Sequence, residues 1–408
     1  MNSNDHKNNK VLFLVRQYAP VPKVCEICVE RVIKALYSIG IQSDVLQFTG
    51  NKGLVKSTEY GNIYSVGDGE GILDTTVKNK IKHFFKLVSI AYRWPFYYKF
   101  RTNRIYRNTI QQLNTQNNYS AIIGVSLPVD TVYNGSFFDN FIVYELDAIT
   151  NNPGNNGKIK RLYKSRLNKI EKRVFDKASL IIHMNFNKTY FESKEFVRYC
   201  NKTTYSNIPN LIKPKTISQL SSDILVFSYF GTLVRDFRNP SYLITLFEEI
   251  KHRITARINF YTRGNCEDIL ENAKLRNQGY IFANGYISPE DVIAKQSESD
   301  FLLSIGNKLT GKDRSLPSKV FEYIATGKPI IHIHGGENDS AIEYLEKYEL
   351  SCIINPSNNI IENANTLVDF IEKNKRKRLD FDIIKNLFND NTPEYTADII
   401  KTFIQNNQ

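Results

Sequence analysis

The residues whose types and spacing best suit chemistry run from Leu316 to Pro329. Pro317 stands where the first turn of a helix would begin, and the backbone N–H groups of such a turn form an anion site. Ser318 and Lys319 add a hydroxyl and an ammonium at the same end, a set suited to a diphosphate. Glu322 follows Lys319 by one turn, on the same face, where a carboxylate can accept both hydroxyls of a ribose. Gly327 ends the helix and Pro329 opens the next strand. Val320, Phe321 and Ile324 give that helix an apolar face for packing.

A second group lies in the first half, in Val143–Thr150. Glu145 and Asp147 fall where an apolar strand gives way to a loop, the end of a parallel strand at which ligands bind. Asp147 has the chemistry to orient a hydroxyl or take its proton; an aspartate that only caps the turn is the structural alternative. His183 ends the next strand, and Arg16 and Gln17 end the first. Cys25 and Cys28 share a helical stretch, but no second pair completes a zinc site, so they read as small buried hydrophobes.

These residues need elements to hold them, and the chain supplies an alternation of strands and helices. Val11–Arg16, Ser43–Phe48, Ala121–Ser126, Phe141–Leu146 and Ser179–Met184 are apolar runs of the kind buried on both faces of a parallel sheet. Helical patterns such as Val24–Ile39 and Gly157–Lys177 lie between them. Turn residues and prolines at Ser206–Asn210 and Lys213–Thr216 read as a linker. The pattern then restarts with strands Ile224–Phe230, Arg257–Thr262, Gln278–Ala283, Asp300–Ile305, Pro329–Ile333 and Ser351–Ile354. A last helix is expected over Glu394–Ile404, with Pro393 in its first turn. The fold class is therefore α/β: two Rossmann-like, doubly wound domains facing a cleft, with the C-terminal helix packing back on the first. Expected boundaries are 1–210, 211–390 and 391–408.

Composition agrees. A chain of 408 residues, 41% hydrophobic and 24% charged, can bury two cores. Five scattered cysteines exclude a disulfide scaffold and suit a reducing compartment. The N-terminus is polar, with no apolar leader, and no run reaches the roughly 18 apolar residues of a spanning helix. The expected location is the cytoplasm, on the inner face of the membrane.

The Leu316–Pro329 segment resembles the donor-nucleotide motif of GT-B glycosyltransferases, and especially glycosyltransferase family 4 enzymes of bacterial surface-polysaccharide synthesis. Phe301–Asn307 is similar to that group, as are Tyr229–Leu233 and Arg238-Asn239-Pro240. The resemblance runs from about Lys10 to Pro356 and is looser in the first half. It implies a nucleotide sugar as donor substrate, no resident cofactor and no catalytic metal. It also implies roles: Gly231 and Thr232 give backbone room beside the donor, while Arg238 and Lys319 offset charge on the departing diphosphate. Ser318 and Glu322 would join them, and Tyr261–Arg263 would form the base-side loop, Arg263 among the donor contacts. Asp147, Arg238 and Lys319 are the expected catalytic residues; Arg16, Gln17, Glu145 and His183 are expected on the acceptor side. Two positions depart from the pattern. Eight residues before Glu322, where many family 4 enzymes carry another glutamate, stands Arg314, and Asn239 follows Arg238 where a lysine is common.

The net charge of +12 calls for an anionic partner. No acidic residue falls between Thr75 and Val129, and basic and aromatic side chains interleave from Lys78 to Arg107. That mixture suits an anionic membrane surface, and hence a lipid-linked glycan acceptor. No nucleic-acid module is recognisable, so nucleic acid is not an expected partner. The expected activity is transfer of a sugar to a glycan hydroxyl. The alternatives are a nucleotide-sugar epimerase of the same architecture and a non-catalytic nucleotide-sugar binder.

Overall fold

The structure is a computed structural model, and it describes residues 9–20, 24–48, 52–66, 100–126, 129–150, 158–214, 223–308 and 319–407. The chain divides into two compact units, Met1–Pro209 with Pro393–Gln408, and Asn210–Thr392. Each is an α/β unit built on its own sheet.

The first unit holds eight strands: β1 (Lys10–Val15), β2 (Gln42–Gln47), β3 (Gly53–Thr58), β4 (Gly61–Ser65), β5 (Ala121–Val125), β6 (Phe141–Glu145), β7 (Leu180–Met184) and β8 (Thr203–Ser206). Their order is β3-β4-β2-β1-β5-β6-β7-β8, parallel except for the β3–β4 hairpin at one edge. β1, β5 and β6 are buried almost throughout, which is why they read as unbroken apolar runs. Leu12, Leu46, Ile122, Val143 and Ile181 meet Ile110, Val174 and Phe175 from the helices in one core. Helix Pro393–Asn406 belongs to this unit. It buries Pro393, Thr396, Ala397, Ile400 and Ile404, a helical spacing that gives it one apolar face, and it packs against helix Val24–Ser38. Thr396 Oγ1 lies 2.8 Å from Ser206 Oγ at the end of β8.

The second unit holds β9 (Leu225–Leu233), β10 (Ala256–Gly264), β11 (Ile281–Ala283), β12 (Phe301–Ile305), β13 (Ile330–Ile333) and β14 (Ser351–Ile354), all parallel, in the order β11-β10-β9-β12-β13-β14. Phe227, Phe260, Leu303 and Ile331 from the strands pack with Phe247, Leu270 and Leu367 from the helices. In each unit the chain winds outward from one strand and then returns to its other side. The switch points are β1/β5 in the first and β9/β12 in the second, and ligands of doubly wound sheets bind at the carboxyl ends of such strands.

Several elements depart from the sequence expectation. The β3–β4 hairpin was not expected: β3 is almost wholly exposed and carries no apolar alternation. Gly61 makes it possible. Its φ is +147°, and a Cβ there would stand 2.2 Å from the Ser43 carbonyl oxygen. β8 ends at Ser206, so pairing with β7 claims a residue that reads as linker. Helix Phe100–Asn117 occupies part of the basic stretch.

Candidate functional site

The second unit places its candidate residues around the ends of β9 and β12. β9 runs on to Leu233, so Gly231 and Thr232 are its last residues but one rather than a loop. Gly231 has a φ of +153°, a backbone conformation that side chains disfavour, so glycine is required where the strand twists. β10 likewise continues past Thr262 to Gly264. Tyr261–Arg263 are therefore strand residues, in register with Phe230–Thr232, where a loop was expected. The cause is Gly264: a Cβ there would lie 1.8 Å from the Leu233 carbonyl oxygen, so only glycine lets the pairing reach this far. Arg263 is exposed, its guanidinium carbon 5.0 Å from the centre of the Tyr286 ring.

Arg238 is half-buried and held on two sides. Its Nε donates to Asn307 Oδ1 at 3.0 Å, and one terminal nitrogen donates to that same oxygen. The other terminal nitrogen donates to the Thr232 carbonyl at 3.3 Å. Asn307 lies two residues past β12, so Arg238 joins the two sides of the switch point. Val234 pairs with Arg238 across a tight turn, which fixes the backbone that carries the guanidinium. A guanidinium anchored through its own donors is a preorganised positive charge for an anion.

Helix Lys319–Ala325 brings Lys319 and Glu322 together as an i,i+3 ion pair, with side chains 38% and 23% exposed. Its inward face holds it to β9. The Tyr323 hydroxyl accepts from Phe230 N at 3.0 Å and donates to Phe230 O at 3.1 Å. Val320, Phe321 and Ile324 are buried beside it. Ser318, Pro317 and Arg314 lie outside the described residues, as does the helix-entry anion site expected there. Asn307 and Tyr323 are the contributors that the sequence reading did not single out; both act through partners 69 and 93 residues away.

A buried hydrogen-bond network joins β12 and β13 in this unit. His332 Nε2 donates to Asp339 Oδ2 at 2.8 Å, and His332 Nδ1 is 2.9 Å from Ser304 Oγ. Asp339 also accepts from Gly335 N at 2.8 Å and Ala341 N at 3.1 Å. Burial opposes ionisation of Asp339, but His332 and the two backbone N–H groups outweigh it and hold the carboxyl below its usual range. This network fixes Gly335 against Gly306, where neither glycine has room for a Cβ.

In the first unit, Arg16 is exposed just past β1 and Gln17 follows it, its N–H directed to Glu26 Oε1 at 3.4 Å. The turn beyond is held by buried Gln47, whose Oε1 accepts from Tyr18 N and Ala19 N. Asp147 sits past β6, half-buried. Its backbone carbonyl accepts from Ser126 Oγ at 2.9 Å, and burial raises its carboxyl to about 6. Glu145 and His183 are inside the unit, each 1% exposed. His183 Nδ1 lies 2.7 Å from Glu145 Oε2, but off the line a hydrogen bond needs, and its ring stacks on Phe191. Burial holds His183 well below its ordinary pKa, and burial with the Asp147 charge lifts Glu145 to about 8. The contact is thus between two neutral groups near neutral pH.

Glu171, from helix Lys158–Lys177, joins this cluster and was not expected. Its carboxyl hydrogen-bonds that of Glu145. Glu145 accepts from Ile149 N at 3.0 Å and Glu171 from Thr150 N at 3.2 Å, so the pair fixes the loop that carries Asp147. Burial and the neighbouring Glu145 raise Glu171 well above its usual range.

The five cysteines are free thiols, Cys28 buried and Cys25 half-buried on helix Val24–Ser38. Among the described residues, no helix is long and apolar enough to cross a membrane. Of the basic stretch 78–107, residues before 100 lie outside the description. Arg104 is exposed on helix Phe100–Asn117, and Arg107 stacks over Phe137 at 4.4 Å.

No protein-family model and no curated protein matches this chain. Solved structures do. The lipopolysaccharide outer core galactosyltransferase WaaB matches over 98% of this chain and 100% of its own, with TM-score 0.55 and 12% identity. Anabaena Alr3699/HepE in complex with UDP matches over 97% and 98%, with TM-score 0.53 and 13% identity. A Listeria monocytogenes protein assigned as a UDP-N-acetylglucosamine 2-epimerase matches over 98% and 96%, with TM-score 0.57 and 10% identity. The likeness is one of fold. The chain has the α/β architecture of GT-B glycosyltransferases, with a parallel-stranded sheet in each unit.

Proposed function

We propose that this protein is a glycosyltransferase that moves a sugar from a nucleotide-sugar donor to a hydroxyl of a glycan, with a lipid-linked glycan as the acceptor. The observation that carries the reading is Arg238, fixed by Asn307 and Thr232 at the β9/β12 switch point, in the unit that also carries Lys319 and Glu322. HepE, which shares the fold, was solved with UDP, and this supports a nucleotide at the carboxyl end of the second sheet. In the reaction, the bond from the anomeric carbon to the diphosphate oxygen breaks and a bond to the acceptor oxygen forms. Arg238 and Lys319 offset the negative charge left on the diphosphate. Glu322 accepts the ribose hydroxyls. Asp147, raised to about 6, remains a carboxylate at neutral pH and takes the acceptor proton.

Thermal stabilisation by UDP-, GDP- and TDP-linked sugars tests the donor, because a ligand that binds only the folded state raises its Tm. At least one is expected to stabilise the protein, and Lys319→Ala and Glu322→Ala should each reduce the shift. If both variants bind like the parent, the nucleotide lies elsewhere.

A second reading has its own observation. Glu145, Asp147, Glu171 and His183 form an acid–base cluster in the first unit, and the fold is shared with the Listeria protein assigned as an epimerase. An epimerase would convert UDP-N-acetylglucosamine to its C2 epimer with no acceptor present; a transferase would not.

A further inference from the structure

The first unit contains a pocket that the donor reading leaves unused. It has a volume of about 770 Å³, within the roughly 300–1,000 Å³ usual for small-molecule sites. It lies between helix Val24–Ser38 and the edge hairpin β3–β4, and extends from the Tyr18–Pro20 turn toward the amino ends of β2 and β4. Neither Glu145 nor Asp147 lines it.

Its chemistry is mixed in a particular way. Apolar surface comes from Ile33, Val45, Val55 and Ile63. Two aromatic rings, Tyr18 and Tyr60, stand on the wall. The Tyr60 ring is held edge-on by Tyr37 at 5.2 Å. The charges balance: Glu30 and Glu59 face Lys34 and Lys56, and Lys34 is tied to Glu30 at 2.7 Å. A net anionic or cationic ligand therefore gains little here. One group asks for a partner. The Ser43 side chain is 2% exposed, lines the pocket, and its Oγ has no hydrogen-bond partner among the described residues. A buried hydroxyl left unpaired is costly, so a ligand that satisfies it gains affinity.

We infer that this pocket binds an uncharged saccharide, whose apolar ring faces lie on Tyr18 and Tyr60 and whose hydroxyls reach Ser43 and the Glu30–Lys34 pair. Sugars combine apolar C–H faces with many hydroxyls and no charge, which matches the lining on each count. The inference rests on the pocket and not on the donor site, and it assigns the first unit a glycan-holding role apart from the reacting hydroxyl.

The test uses the full chain with methyl glycosides of glucose, galactose and N-acetylglucosamine, read by saturation-transfer NMR. At least one should receive magnetisation from the protein. Ser43→Ala should weaken its binding about fivefold to tenfold, the worth of one buried hydrogen bond. It should not lower Tm and should raise it slightly, because the lost hydroxyl was buried without a protein partner. Val55→Trp, at a position 45% exposed, should fill the pocket and remove the signal while the protein stays folded. Lys319→Ala should leave glycoside binding intact, which separates this inference from the donor reading. Absence of any glycoside signal, or a signal that survives Val55→Trp, would overturn it. So would binding of octanoate where no glycoside binds, which would assign the pocket to an acyl chain.

Discussion

Each unit buries a histidine beside a carboxyl group near the carboxyl end of its sheet, and the two carboxyls are pushed in opposite directions. In the second unit, Asp339 receives three donors: His332 Nε2 and the N–H groups of Gly335 and Ala341. They hold it ionised. In the first unit, burial and the Asp147 charge outweigh the two hydrogen bonds that Glu145 receives, from Ile149 N and from Glu171, and His183 meets it out of line. It stays protonated up to about pH 8. Burial is nearly complete in both. The donors aimed at the carboxyl, set against the burial and the charge beside it, decide its state.

The largest test of that contrast is Asp339→Asn. The amide presents a donor to backbone N–H groups that need an acceptor, and the buried carboxylate's hydrogen bond to His332 is disturbed. The expected cost is about 3–5 kcal/mol, read by denaturant unfolding, with hydrogen exchange accelerated in β13. A loss below about 1 kcal/mol would show that Asp339 is not ionised. Glu171→Gln should behave differently, since it replaces one neutral group by another near neutral pH.

The pH dependence separates the units further. Glu145, Glu171 and Asp147 have folded pKa values raised above their unfolded ones. The folded state therefore binds more protons over that interval, and stability falls as pH rises. For Glu145 the window runs from about 4.5 to about 8. The first unit should lose several degrees of Tm between pH 5 and pH 8, and a Glu145→Gln, Glu171→Gln double variant should flatten that slope. Asp339, held below its ordinary value, has the opposite sign: its contribution is present above about pH 4 and is lost as pH falls through its folded value. A first unit equally stable at pH 5 and pH 8 would break the comparison.

The smallest effect belongs to the partly exposed pair. Removing Lys319 by alanine should cost under about 1 kcal/mol of stability, because solvent screens its bond to Glu322. Its effect should appear in nucleotide binding instead. A large loss of stability would mean that Lys319 supports the fold rather than a ligand.

Much of the fold was legible in the residues. Buried parallel strands such as β1, β5 and β12 must be apolar on both faces, so they read as continuous runs. The restart after residue 210 marks the second sheet, and Pro393 marks the last helix. β3 was not legible because it is a polar edge strand, placed by Gly61 and its pairing with β4. For the site, local spacing brought Lys319 and Glu322 onto one face, because i,i+3 neighbours on a helix meet whatever surrounds them. Asn307 beneath Arg238, Tyr323 on the Phe230 backbone and Glu171 against Glu145 were not legible, since their partners lie far apart along the chain. The sequence alone determined strand, helix and short-range pairs, where the chain's own geometry sets the distance. Only the tertiary structure decided which distant donors reach a buried carboxyl, and so whether Asp339 and Glu145 carry charge.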